Sequence, residues 1–155
     1  CEAAINALQN GAKILTDTYM AEAAISPMAK RTLHSKVSCI LGMAPQSVDS
    51  LSTTRSAIGM KAMWLDLEKN DELSVAPIVV IGSAPSALMA LLDLIDKGSK
   101  PPSLIIGMPV GFIGVLECKN RLLQSNYPFI VLEGTKGGAS LAACTVNALL
   151  RAAEQ

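Results

Sequence analysis

The stretch "APIVVIGSAPSALMALLDLIDKG", residues 76–98, decides the fold. Its first half is a continuous apolar run rich in β-branched residues, and its second half repeats apolar residues at helical spacing. Pro85 suits the first turn of a helix, and Gly98 suits the position just past a helix end. The stretch therefore predicts a buried β-strand followed directly by an α-helix, as in the βα units of a parallel sheet.

The same alternation recurs along the rest of the chain. Since right-handed crossovers would place helices on both faces of the sheet, we predict a single domain over residues 1–155. Its expected fold is flavodoxin-like, with three α/β/α layers and a five-stranded, mostly parallel, doubly wound sheet. The other strands are predicted in "AKILTDTYM" (12–20), "KVSCILG" (36–42), "SLIIGMP" (103–109) and "PFIVLEG" (128–134). The other helices are predicted in "MAEAAI" (20–25), after the loop that ends in "SLSTTRSA" (50–57), in "GVLECKNRLLQ" (114–124) and in "ASLAACTVNALLRAAE" (139–154).

The composition disfavours several kinds of partner. The 13 basic residues balance 13 acidic ones and only 3% of the residues are aromatic, so a base-stacking nucleic-acid surface is not expected. Although 50% of the residues are hydrophobic, they lie in short runs. None approaches the roughly 18–20 uninterrupted apolar residues of a membrane span. We therefore expect neither a nucleic-acid partner nor a membrane partner.

The four cysteines are widely spaced and form no C-x-x-C pair, so neither a metal site nor a disulfide framework is expected. Most of them lie in apolar segments, where a cysteine behaves as a small hydrophobic residue. Their number and spacing, with no visible signal peptide, fit a reduced, cytoplasmic compartment. They are Cys1, Cys39, Cys118 and Cys144.

Ligands of doubly wound sheets bind beyond the carboxyl ends of the strands, where the strand order reverses. The segments expected there are "TDTYM", "GSAP", "GMPVGFIG" and "EGTKGG", and Gly, Ser and Thr dominate them. Such turns expose backbone N–H groups beside helix N-termini, which favours anions. Gly107, Gly111 and Gly114 lie close together after the fourth strand, which indicates that the backbone there must approach something closely.

Individual polar residues leave alternatives open. Arg55 is expected at a helix start, where a cation opposes the helix dipole, so it points to an anionic ligand or partner unless it is simply solvated. Asp17 could act as a general acid or base, or could cap the next turn. His34, the only histidine, is expected at the amino edge of the sheet, so a catalytic role is disfavoured. "GTKGGAS" (134–140) lacks P-loop spacing. The residues alone indicate a small anionic ligand.

The loop sequences resemble those of one family, the precorrin-8X methylmutases, also called precorrin isomerases or cobalt-precorrin-8 methylmutases, of corrinoid biosynthesis. The resemblance covers essentially the whole chain, with the motifs in order. It rests on "GAKILTDTYM" (11–20), "TTRSA" (53–57), "IGSAPSAL" (81–88), "IIGMPVGFIGVLECK" (105–119) and "LEGTKGGASLAACTVNAL" (132–149).

The resemblance implies an isomerase that moves a methyl group from ring carbon C11 to C12 of a corrin precursor, giving hydrogenobyrinate or its cobalt form. It implies no cofactor and no metal, a tetrapyrrole substrate with many carboxylates, and a homodimer with pockets near the interface. The glycines after the fourth strand would then let the flat ring lie against bare backbone. The substrate-binding residues it implies are Asp17, Met20, Thr54, Arg55, Gly111, Phe112, Gly137 and Gly138.

Two departures from the family pattern are visible. Ser83 stands where the family usually has Asn. The family's catalytic histidine belongs to a segment upstream of Cys1, so no catalytic residue is assigned within residues 1–155. Because the chain begins at Cys1 in a helical pattern, we expect it to be the trimmed or ordered part of a longer enzyme. The alternatives are a non-catalytic corrinoid-binding module that lacks the histidine segment, and an unrelated anion or nucleotide binder on the same fold.

Overall fold

The computed structural model describes residues 1–48 and 53–155, in which five short strands form one sheet with helices on both faces. The strands are β1 (Ile14–Thr16), β2 (Val37–Cys39), β3 (Ile78–Ile81), β4 (Leu104–Gly107) and β5 (Phe129–Val131). The helices are α1 (Glu2–Gln9), α2 (Tyr19–Arg31), α3 (Arg55–Lys69), α4 (Pro85–Asp96), α5 (Val115–Leu123) and α6 (Ala139–Glu154), with a 3₁₀ helix at Ile40–Met43.

The strand order is β2-β1-β3-β4-β5, and every neighbouring pair is parallel. Thr16 at the end of β1 pairs with Cys39 of β2 on one side and with Val80 of β3 on the other. The chain leaves β1 for β2 on one side and later returns to β3 on the other, so the strand order reverses between β1 and β3. This arrangement confirms the predicted α/β fold with a doubly wound parallel sheet.

The sheet separates two apolar cores. The core beneath α3, α4 and α5 includes Met60 and Trp64, and the core beneath α1, α2 and α6 includes Ile25 and Val146. All four residues of β3 and of β4 are buried. Continuous burial explains why these strands read as uninterrupted apolar runs in the sequence.

The elements differ in length from the sequence prediction at three places. The first and second strands end at Thr16 and Cys39, because Thr18 already caps α2 by accepting the Ala21 N–H at 3.2 Å and a 3₁₀ turn follows Cys39. Helix α2 runs on to Arg31 with Pro27 inside it, well beyond the predicted end at residue 25. Residues 50–52 of the predicted loop lie outside the described residues.

His34 is exposed in the connection between α2 and β2, at the amino edge of the sheet, as predicted. In the described part of the chain, no helix is long and apolar enough to cross a membrane.

Candidate substrate-binding site

The loops that follow β4 and β5 are joined at the carboxyl edge of the sheet. The Gly138 N–H donates to the Met108 carbonyl at 2.9 Å, and the Gly111 N–H donates to the Thr135 carbonyl at 3.4 Å. A Cβ at Gly137 would lie 2.0 Å from the Met108 carbonyl oxygen, a distance at which atoms collide. Gly137 is therefore required by the contact between the two loops.

Asp17 lies at the switch point between β1 and β3 and is fully buried. Its Oδ2 accepts three backbone N–H groups of the β3–α4 turn, from Gly82 at 3.0 Å, Ser83 at 2.6 Å and Ala84 at 2.7 Å. Helix α4 has no side-chain cap of its own, so Asp17 supplies the anion at its N-terminus. Burial raises the pKa of the Asp17 carboxyl above its ordinary value, although the three hydrogen bonds from backbone N–H groups oppose that rise.

This arrangement changes the predicted role of the β3–α4 turn. The sequence indicated that the N–H groups of "GSAP" would be free to bind a ligand anion, but they are occupied by the chain's own carboxylate. Asp17, which is 0% exposed, therefore does not line an open cavity. Of the two alternatives for Asp17, the structure favours the cap.

A cavity of about 510 Å³ opens beside this turn, between α3, α4 and the start of α5. Such a volume is within the range of about 300–1,000 Å³ that small-molecule sites occupy. Thr54 lines it and hydrogen-bonds through Oγ1 to the Ser86 hydroxyl at 2.7 Å, which ties the start of α3 to α4. The remaining lining is mixed: Thr53, Ala57, Lys61, Pro85, Met89, Ala90, Asp93, Ile113, Gly114 and Glu117.

Apolar side chains project from the β4–α5 loop and the first turn of α5 beside this cavity. Phe112 is 97% exposed and Ile113 is 91% exposed, while Val110 and Leu116 are about half exposed. We refer to Val110, Phe112, Ile113 and Leu116 as the apolar ridge. Scattered exposed apolar residues are ordinary, but four within seven positions form a concentrated apolar surface. The ridge replaces the bare backbone that the sequence indicated at this place.

Arg55 is the first residue of α3, as predicted, and its side chain is exposed. Its Nε donates to the Pro45 carbonyl at 2.8 Å. Thr54 caps α3 by accepting the Ala57 N–H at 3.1 Å. Arg55 is thus next to the cavity in sequence but is not part of its lining.

The other predicted residues divide between the joined loops and the surface. Gly111 and Gly138 have positive φ angles of 138° and 128°, which side chains rarely adopt. Met20, in the first turn of α2, is 62% exposed. The structure therefore brings Gly111, Phe112, Gly137 and Gly138 together in one unit, places Thr54 on the neighbouring cavity, and leaves Asp17 beneath the surface.

Sequence reasoning missed Lys119. Its side chain is 1% exposed, and its Nζ donates to the carbonyls of Gly134 and Lys136, each at 2.7 Å. Burial lowers the pKa of the Lys119 ammonium below its ordinary value. A signal was available, because Lys119 shares the core-facing side of α5 with the buried residues Val115, Cys118 and Leu122.

A parallel sheet with a mixed cavity and an apolar ridge at its carboxyl edge is typical of α/β proteins that bind small molecules. The family model CbiC, precorrin-8X methylmutase, matches residues 1–152. The chain belongs to the precorrin-8X methylmutase family, whose members are isomerases of cobalamin biosynthesis. This confirms the resemblance and disfavours a non-catalytic module.

Similar proteins carry both family names. A precorrin-8X methylmutase of Pseudomonas aeruginosa is 37% identical over 147 residues, covering 92% of this chain and 67% of that protein. A cobalt-precorrin-8 methylmutase of Synechocystis is 37% identical over 146 residues, covering 94% of this chain and 63% of that protein. The chain thus spans about two thirds of these relatives. The structure of the Thermus thermophilus precorrin-8X methylmutase is 36% identical with a TM-score of 0.79, covering 98% of this chain and 72% of that one.

Proposed function

We propose that this chain binds a corrin precursor at the carboxyl edge of its sheet and takes part in moving a methyl group from C11 to C12 of the ring. The product would be hydrogenobyrinate or cobyrinate, its cobalt form. The observation that carries the proposal is the family match over residues 1–152, together with a cavity and an apolar ridge on the edge where such folds bind ligands.

The geometry suits a large, flat molecule with an apolar face and acidic side chains. The ring face would lie against Ile113, which lines the cavity and offers apolar surface that water otherwise covers. The peripheral carboxylates would be bound by hydroxyl and cationic groups, namely Thr54, Ser86 and Lys61 of the cavity lining and Arg55 at the start of α3. Four further residues would complete this edge, either by contacting the ring or by shaping the loops: Met20, Gly111, Gly137 and Gly138.

The proposed reaction is an intramolecular isomerisation, so its atoms and electrons balance within the substrate. The bond from C11 to the methyl carbon breaks as the bond from C12 to that carbon forms. What the protein must supply is a fixed ring geometry and a group that protonates the rearranged ring. His34 lies at the opposite edge of the sheet and is not proposed for that role.

Arg55→Ala tests the proposed site. We expect affinity for hydrogenobyrinate, followed by the change in its visible absorption on binding, to fall by about 1–3 kcal/mol, because a hydrogen bond to a charged group is removed. Arg31→Ala, which removes an exposed arginine at the amino edge, is the matched control and should bind as the wild type does. Equal affinities for all three proteins would remove Arg55 from the site.

We also infer that the chain forms a homodimer with its pocket near the interface, as the family resemblance implies, so that Phe112 of the apolar ridge packs against a second copy while Ile113 faces the cavity. The support is Phe112, which is 97% exposed and is not part of the cavity lining. Fully burying a phenylalanine side chain contributes about 2 kcal/mol, so one such contact in each direction would matter for dimer stability.

Phe112→Glu tests this dimer. We expect the dimer dissociation constant from sedimentation equilibrium to rise by at least about tenfold, since the loss of one buried phenylalanine is worth more than 1.4 kcal/mol. Leu65→Glu changes another exposed apolar residue, on α3, and serves as the control that should leave association unchanged. A wild-type protein that is monomeric, or a Phe112→Glu protein that associates as well as the wild type, would contradict the proposal.

We propose a cytoplasmic location for the same chain. The support is that Cys1, Cys39, Cys118 and Cys144 are all free thiols, which suits a reducing compartment. Cell fractionation with an antibody to the protein tests it.

A further inference from the structure

Lys119 presents an unusual combination of charge and burial. Its side chain is 1% exposed, yet in the described part of the chain its ammonium lies near no carboxylate at ion-pair distance. Its ammonium instead donates to two backbone carbonyls, those of Gly134 and Lys136, at 2.7 Å each. Burying an ammonium is costly unless hydrogen bonds replace its water.

The two carbonyls belong to the β5–α6 loop, at residues 132–138. Residues 133–136 of that loop are exposed, and Gly134 and Gly138 have positive φ angles of 77° and 128°. Among the described residues, Lys119 makes the only recorded side-chain hydrogen bonds to the backbone of 133–138. The remaining anchors are the bonds of the Gly138 N–H to Met108 and of the Gly111 N–H to the Thr135 carbonyl.

We propose that Lys119 is a positioning residue that fixes the β5–α6 loop against the β4–α5 loop and so presents the apolar ridge and loop backbone in the geometry that binds substrate. Lys119 projects from α5 into the loop, and α5 begins at Val115, just beyond Phe112 and Ile113 of the ridge, and carries the ridge residue Leu116 in its first turn. One side chain thereby ties together the helix that follows the first loop and the backbone of the second. A loop fixed in advance loses less conformational entropy when ligand binds.

The experiment compares Lys119→Met with Lys136→Met by hydrogen exchange of backbone amides. Both variants remove one positive charge and leave an unbranched side chain, but the exposed Lys136 side chain makes no recorded bond to the loop. We expect exchange across residues 133–138 to speed up by at least about tenfold in Lys119→Met, while β1 and β3 keep their protection. Lys136→Met should exchange as the wild type does. Unchanged loop exchange in Lys119→Met would overturn the proposal.

The predicted effect of Lys119 on substrate binding rests on the proposed corrinoid binding, and it is measured in a separate experiment. Lys119→Met should bind hydrogenobyrinate at least about tenfold more weakly than Lys136→Met, although Lys119 is beneath the surface. If the loop loosens but the two variants bind equally, Lys119 anchors the loop without positioning substrate, and the proposal is wrong. If the wild type binds no corrinoid while the loop loosens as expected, the loop anchor stands and the proposed function fails.

A second measurement covers the case in which Lys119→Met does not fold. Acetic anhydride at low concentration acetylates accessible lysines of the wild-type protein, and mass spectrometry reads each site. We expect Lys136 to be fully modified while Lys119 remains unmodified, since its Nζ is buried and bonded. Acetylation of Lys119 at the rate of Lys136 would overturn the anchor.

Discussion

Replacement of Asp17 by alanine is expected to lower the free energy of unfolding by about 3 kcal/mol, because three turn N–H groups lose their acceptor and each unsatisfied buried group costs about 1–3 kcal/mol. The Gly82 bond is fully buried, and those of Ser83 and Ala84 are partly buried, so water can compensate only in part. Urea denaturation followed by far-UV circular dichroism measures the change.

Asp17→Asn is the matched comparison. Asparagine keeps one side-chain oxygen for the three N–H groups, and its amide nitrogen would take the place of Oδ1, which has no partner in the described structure. We expect Asp17→Asn to lower the free energy of unfolding clearly less than Asp17→Ala does. Equal losses of stability in the two variants would show that Asp17 does not stabilise the fold through its hydrogen bonds to the turn N–H groups. A loss below about 1 kcal/mol in Asp17→Ala would contradict the account of the turn.

Gly137→Ala is expected to cost about 3 kcal/mol of stability and to separate the two joined loops. The new Cβ would lie 2.0 Å from the Met108 carbonyl oxygen and 2.8 Å from its carbon, so the backbone of one loop must move. Overpacking typically costs about 1–3 kcal/mol, and the bond from the Gly138 N–H to the Met108 carbonyl is lost as well. Thermal unfolding measures the stability, and hydrogen exchange of residues 108–114 measures the loops.

Gly42→Ala is the control for that experiment. A Cβ at Gly42 would have its nearest neighbour, the Tyr19 hydroxyl, 4.0 Å away, so the same added methyl group meets open space. We expect its stability to stay within about 0.5 kcal/mol of the wild type. If Gly137→Ala were as stable as Gly42→Ala, the close contact of the loops would be wrong.

The sequence predicted the architecture well because the fold depends on local patterns. Strands β3 and β4 are buried on both faces, so their apolar runs are unbroken, and Pro85 and Gly98 mark the ends of the α4 helix as expected. Strand ends were harder to predict. Thr18 belongs equally well to a strand or to a helix cap, and only the bond from the Ala21 N–H shows which it is.

The site was harder to predict from the sequence because the residues that contact one another there are far apart along the chain. Asp17 bonds to residues about 65 positions later, so its choice between catalysis and capping could not be decided locally. The glycines were ambiguous for a similar reason: Gly137 is required by a protein carbonyl, whereas Gly111 is required by its own backbone angle. Lys119 was hidden because a lysine in a helix usually faces solvent.

These contacts revise the picture of how the edge would hold its ligand. The turn amides that the sequence offered to a ligand anion are taken by Asp17, and the backbone expected to be bare carries Phe112 and Ile113. What faces outward is an apolar ridge beside a cavity with hydroxyl groups, Lys61 and two carboxylates, of which that of Asp93 is paired with Arg121. That combination fits a flat ring with acidic substituents better than it fits a phosphate, for which amide-lined turns would have to be open.

Hydrogen exchange in the presence and absence of hydrogenobyrinate tests the central claim most directly, because it locates the ligand without a substitution. We expect saturating ligand to protect residues 53–57, 84–89 and 108–116 at the carboxyl edge, and to leave the amino edge around His34 and residues 97–103 unchanged. An adenine nucleotide should protect neither edge. Protection confined to the amino edge, or none at any ligand concentration, would contradict a corrinoid site at the carboxyl ends of the strands.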